Sequence, residues 1–186
     1  MKSSYLAGLF LIASVALSPN VFADTLAFLC IPEIPGGTAD ERNPDCIDIT
    51  SLSVDFSADA SYEMGGGGAN PLPRISPFSI VKPFDVATIP LQRALVLEED
   101  RQFALIRFFE TCEECEPPEH PYLVYRLENI RITRHNISYY QGSPAISEIV
   151  DVTFKKYRIC AGYDNPEGQM VCDNEFGWNL GLGQAE

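Results

Sequence analysis

A mainly β domain, closed into a barrel and carrying one short helix, is the fold class that this chain predicts. Three observations carry it. Extended runs bounded by Gly, Pro, Asn and Asp recur from residue 24 to the C-terminus, and several alternate apolar with polar residues, the period of a strand with one wet face. Only the stretch after Thr88 spaces its apolar residues as a helix does. Closure into a barrel would remove the exposed edges that so many strands otherwise present.

The chain opens with Lys2, an uncharged apolar run from Tyr5 to Leu17, and the small-residue exit Val21-Phe22-Ala23 ahead of Asp24. That order is the pattern of a cleavable secretory signal peptide over residues 1–23, which leaves 24–186 as a single domain. The apolar run is too short for a spanning helix, which needs roughly 20 residues, so no membrane insertion is expected after cleavage. Cys30 follows Phe28 and the bulky Leu29 rather than small residues, which argues against a lipid anchor.

Thr25 to Ile31 reads as a short first strand, and Pro32 to Asp45 as a long loop containing Ile34-Pro35-Gly36-Gly37. From Cys46 to Ser57 the apolar residues alternate, first at Ile47 and Ile49 and then at Leu52, Val54 and Phe56. This change of phase predicts a bend near Thr50-Ser51. Ser57 to Pro73, with Gly65 to Gly68, reads as a loop; it lacks the Lys and Ser/Thr that complete a phosphate-binding loop.

After an extended Ser76 to Pro83 segment, a helix is predicted with Thr88 as its N-cap, Pro90 in the first turn and an end near Leu97. Leu91, Ala94 and Leu95 form its buried face. Gln102 to Phe109 is apolar on both faces, as in a centrally buried strand. Tyr122 to Arg134 and Glu148 to Cys160 supply two long strands, and Gly162 to Gly168 reads as the turn between two short final runs.

The net charge of −13 disfavours nucleic acid, because Lys and Arg form no basic stripe. All six cysteines (Cys30, Cys46, Cys112, Cys115, Cys160, Cys172) follow the leader, and export makes disulfides the expectation. Six cysteines allow 15 pairings, among which neighbour spacing favours Cys30 with Cys46, Cys112 with Cys115, and Cys160 with Cys172. The Cys112-Glu113-Glu114-Cys115 pair lacks the neighbouring cation or helix N-terminus that stabilises a redox thiolate, and Glu110, Glu113, Glu114 and Glu116 surround it instead. A zinc site drawing on His120 or His135 would need reduced cysteines and lacks a second paired-ligand motif. Neither histidine sits in a recognisable catalytic motif. No catalytic residue, metal or cofactor is therefore assigned.

Several segments, taken in order, resemble the haemolysin-coregulated protein (Hcp) family, which builds the tube of bacterial type VI secretion systems. Phe28-Leu29-Cys30-Ile31, the Pro-Gly loop and Cys46-Ile47-Asp48-Ile49-Thr50-Ser51-Leu52-Ser53 resemble its first strand, extended loop and second strand. Phe78 to Asp85, leading into Pro90 to Leu95, is similar to its Lys-Pro-x-Asp strand end and single helix. Tyr122 to Ile130, Glu148 to Lys156 and Phe176-Gly177-Trp178-Asn179-Leu180 resemble later motifs.

The resemblance implies a β-barrel of two sheets with one short flanking α-helix, and a structural protein without enzymatic activity. It also implies self-assembly into hexameric rings that carry secreted protein cargo, with Ile34, Pro35, Gly36 and Gly37 in the loop that contacts a neighbouring ring. Tube subunits of this family have no signal peptide, so the leader and the cysteines imply an exported, periplasmic or secreted variant. A monomeric binding module on the same fold is the alternative.

Overall fold

In a computed structural model of the chain, residues 24–58, 72–111, 120–143, 145–164 and 170–186 are described. The leader, most of the Gly-rich stretch, Cys112 to Glu119 and part of the final turn lie outside them. Among the described residues, twelve strands and one helix follow in the order β1 (Asp24–Cys30), β2 (Ile47–Ile49), β3 (Ser51–Ser53), β4 (Phe56–Ser57), β5 (Arg74–Ile75), β6 (Phe78–Pro83), α1 (Thr88–Val96), β7 (Asp100–Thr111), β8 (Leu123–Ser138), β9 (Ser147–Thr153), β10 (Lys156–Asp164), β11 (Met170–Asn179) and β12 (Gln184–Ala185).

All pairings are antiparallel, and six of them close a ring. β1 lies between β2 and β7, β7 pairs β8, β8 pairs β9, β9 pairs β6 and β6 pairs β3. β2 and β3 are one strand broken at Thr50, whose backbone N–H turns to the carbonyl of Val81 at 2.8 Å. The phase change read in the sequence is thus the point where the chain crosses from β1 to β6 and completes the barrel. β10, β11 and β12 extend the sheet from β8 as a wing, and β4 with β5 forms a separate two-stranded ribbon.

The segment read as one strand from Glu148 to Cys160 is two. β9 and β10 line the same edge of the 16-residue β8 in a continuous register, Arg131 opposite Thr153 and Glu128 opposite Lys156. They separate at Phe154 and Lys155 because β9 bends towards β6 while β10 follows β11. On β8 the same fork falls at Asn129, whose φ of 51° is left-handed. Asn tolerates that conformation better than most residues.

The barrel is filled by Leu29, Ile47, Phe78, Ile80, Ile106, Leu127, Ile130, Val150 and Val152, all buried. Each fully buried side chain of this size contributes about 1.5–3 kcal/mol. Leu91 and Ala94 of α1 plug one end, and Leu95 packs at the margin. β7 is not buried on both faces as its composition suggests. Ala104 and Ile106 enter the core, whereas Phe103 and Leu105 stay half-exposed on the outer face, where the guanidinium of Arg126 lies 4.4 Å from the Phe103 ring.

Thr88 is not the helix cap. Ala87 occupies that position without a side-chain bond, and the Thr88 hydroxyl donates to Glu148 instead. At the other end, Glu98 (φ 52°) donates to the Leu95 carbonyl and Glu99 to that of Ala94, a Schellman closure without glycine.

Candidate functional site

Two neighbouring features stand out against this scaffold. One is a polar cluster inside the barrel end. Lys82 of β6 and Glu148 of β9 are both fully buried and pair at 2.8 Å. The Lys82 ammonium also reaches Asp85 at 2.7 Å and donates to the Pro83 carbonyl at 2.8 Å. Glu148 accepts from the Thr88 hydroxyl at 2.7 Å and contacts His135 Nε2 at 3.0 Å.

Burial alone would raise the Glu148 pKa, but hydrogen bonds from Lys82, Thr88 and His135 outweigh it and hold the carboxyl below its ordinary value. An ionised carboxylate only accepts, so the proton on His135 belongs on Nε2, and Nδ1 is left buried without a partner. Three hydrogen bonds to the Glu148 carboxylate tie α1, β6, β8 and β9 together. The cluster has the character of a structural lock, because its charged groups are enclosed and paired with one another.

These residues were accessible to a strict count along the strands. Lys82 shares its parity with Phe78 and Ile80, and Glu148 shares its parity with Val150 and Val152, so both charges had to point inward. The composition of the segments concealed this, since a Lys before Pro and a Glu opening a strand look like ordinary boundary residues.

The second feature is the 31–45 loop. Cys30 and Cys46 are joined by a disulfide at its base, and Cys160 with Cys172 are joined in the β10 and β11 hairpin. Cys112 and Cys115 lie outside the described residues. The loop does not stand away from the barrel. Gly36 donates to the Asp45 carbonyl at 2.8 Å and Thr38 to that of Cys46 at 3.2 Å. A Cβ on Gly36 would sit 2.1 Å from the Cys46 carbonyl oxygen, so only glycine fits this approach.

Beneath the loop, Phe28, Cys46 and Phe109 form a small second core. Arg42 lies over the Phe109 ring at 5.1 Å and pairs with Asp40. Arg107 donates to Asn43 Oδ1 at 3.2 Å, and Gly37 donates its N–H to Asp85 Oδ2 at 3.2 Å. Of the four residues expected to meet a neighbouring ring, Ile34 is fully buried in the main core, while Pro35 and Gly37 remain exposed and Gly36 is half-buried.

Between this loop and the outer face of β7 runs an open cleft of about 480 Å³. Ile31, Pro32, Pro35, Phe103 and Leu105 supply its apolar lining, and Glu33, Asp45 and Arg107 its charges. On its solvent side α1 carries large apolar residues beside the polar Gln92 and Arg93. Ile89 and Val96 are 74% and 76% exposed, with Val86 and Leu97 continuing the stripe. Among the described residues, no group of three or more His, Cys, Asp or Glu could hold a metal, and no helix is long and apolar enough to cross a membrane.

A closed antiparallel barrel with one helix at its end, a β-sheet wing and a long loop laid along its side defines a mainly β barrel protein with one short helix. The chain belongs to the Hcp family of type VI secretion proteins: residues 28–160 match the family described as "Type VI secretion system effector, Hcp". Solved structures agree on the fold. One described as a type six secretion system protein superposes with a TM-score of 0.75 at 14% identity, covering 88% of this chain and 100% of that one. Hcp1 from Salmonella typhimurium gives a TM-score of 0.66 at 16% identity, covering 87% and 99%. The secreted protein Hcp3 from Pseudomonas aeruginosa gives 0.55 at 14% identity, covering 85% and 98%. No curated protein sequence matches the chain.

Proposed function

We propose that this protein is an exported, disulfide-bonded structural subunit that assembles with copies of itself into hexameric rings related to type VI secretion tubes and catalyses no reaction. Residues 1–23 act as its signal peptide, residues 24–186 form the single mature domain, and it works in the periplasm or outside the cell. Family membership supports the ring, and a secreted protein is the expected cargo.

The observation that carries self-assembly is the solvent side of α1. Exposed Val86, Ile89, Val96 and Leu97, set around the polar Gln92 and Arg93, are large apolar groups that gain by being covered in an assembly and are otherwise an aggregation liability. The disulfides fit an oxidising compartment, where they persist.

The test is light scattering and native mass spectrometry of oxidised residues 24–186 over a range of concentrations. A particle of several subunits is expected. A strict monomer at high concentration would replace the ring with a monomeric binding module on the same fold.

A further inference from the structure

A closed ring of more than two copies needs two different patches on each subunit, because head-to-tail contact joins one face to another. We propose, building on the ring reading above, that the outward stripe of α1 on one copy seats in the cleft between the 31–45 loop and β7 on the next.

The stripe is one continuous helical face. Ile89, Arg93 and Val96 fall at i, i+4 and i+7, and Val86 and Leu97 extend it at either end. Its centre is a cation. The Arg93 side chain is 72% exposed, and its pairing with Glu99 is long at 3.7 Å, because Glu99 is engaged more closely by Arg101. With exposed Gln92 beside it, apolar ends flanking a polar, basic centre are presented to solvent.

The cleft carries the complementary pattern. Pro32, Pro35, Phe103 and Leu105 offer apolar walls, and Glu33 and Asp45 are exposed carboxylates on the loop side. The Glu33 side chain is 79% exposed and only 4.0 Å from Arg101, too far for a tight pair. Arg107 also lines the cleft, but Asn43 holds it and the two carboxylates outnumber it. In a chain of net charge −13, two copies repel at most orientations. A cationic stripe meeting an acidic, apolar cleft is an attractive exception, and such pairing selects orientation as well as affinity.

The loop's fixed position gives the cleft its shape before any partner arrives. The disulfide, the Gly36 contact and the Gly37 to Asp85 bond hold the wall in place. Little ordering cost then remains for association.

The experiment is a charge swap read by sedimentation velocity on oxidised residues 24–186. Arg93→Glu, and separately Glu33→Lys with Asp45→Asn, are each expected to weaken assembly about tenfold or more, and the three changes together to restore it to within about threefold of the wild type. Asn is chosen at position 45 because φ there is 60°, which Asn tolerates. All three side chains are exposed, so an unchanged melting temperature is the control for folding.

Variants that assemble like the wild type overturn the pairing, as does a combined variant no better than its worse parent. A wild type that is already monomeric removes the ring reading itself, a distinguishable result. As a second measurement, carbodiimide cross-linking of Arg93→Lys is expected to join position 93 to Glu33 or Asp45 of another copy. Cross-links confined to other sites count against the proposal.

Discussion

The barrel end and the loop beside it meet at Asp85, whose Oδ1 bonds Lys82 and the Ala87 N–H while Oδ2 accepts from Gly37. They are held by opposite strategies. At the barrel end, four polar side chains are buried together against the half-buried Asp85 without a covalent link, so removing one strands the others in a low-dielectric interior. The loop is fastened by a disulfide and several small contacts of differing kind, each removable alone. The first region is sensitive to charge and pH, the second to redox state, and they are expected to fail separately.

The largest effect is expected at Glu148. Replacing it by Gln keeps the shape and an acceptor oxygen but removes the charge, so that Asp85 is the one carboxylate among these contacts still facing the buried Lys82. Removing one partner of a buried pair costs about 3–5 kcal/mol, and because Asp85 still pairs with Lys82 the low end of that range is expected, read as a drop in the denaturant midpoint at neutral pH. The wild type should also be acid-labile at this site. A carboxyl with a depressed folded-state pKa contributes stability that is fully present above the ordinary Glu pKa. That contribution is lost as pH falls through the depressed value. In Glu148→Gln this portion of the pH dependence should disappear; a parallel pH profile for the two proteins would show that the cluster is not the acid-sensitive element.

Next in size is the loop staple. Cys30 and Cys46 are 16 residues apart, and closing a loop of that length is worth about 3 kcal/mol in the chain-entropy model. Replacing both by Ser should lower unfolding free energy by about that amount while leaving the acid midpoint of the Glu148 cluster in place. A loss below about 1 kcal/mol would mean that the unfolded chain without the bond already holds residues 30 and 46 near one another.

The two regions also differed in how far they could be read in advance. The loop was legible from local signals, because Pro, Gly and paired cysteines act on their immediate neighbours. Its direction was not legible: that Ile34 turns inward and joins Ile47 and Leu91 in one buried cluster is a tertiary fact. At the barrel end the elements were legible but the chemistry was not. Thr88 looked like a helix cap because nothing local reveals a carboxylate arriving from residue 148, 60 positions away. The fork after Phe154 left a local trace, a change of phase from Val150, Val152 and Phe154 to Tyr157 and Ile159, but that the two halves take different outer neighbours is a tertiary fact.

The smallest expected effect sharpens the comparison most. Arg42→Gln removes the guanidinium over Phe109 and its pairing with Asp40, at a cost of about 0.5–1 kcal/mol for a contact at this exposure. Measured alone it says little, but measured in the Cys30→Ser, Cys46→Ser background it reports where the loop lies without its staple. If Ile34, the Gly36 contact and the Arg107 to Asn43 bond keep the loop seated, Arg42 still meets Phe109 and the two losses add. If the disulfide alone keeps the loop down, the Arg42 contact is already gone and its substitution costs nothing further. Additivity is the expected result, because the contacts under the loop include a fully buried isoleucine, and reburying that side chain contributes about 1.5–3 kcal/mol independently of the sulfur bond.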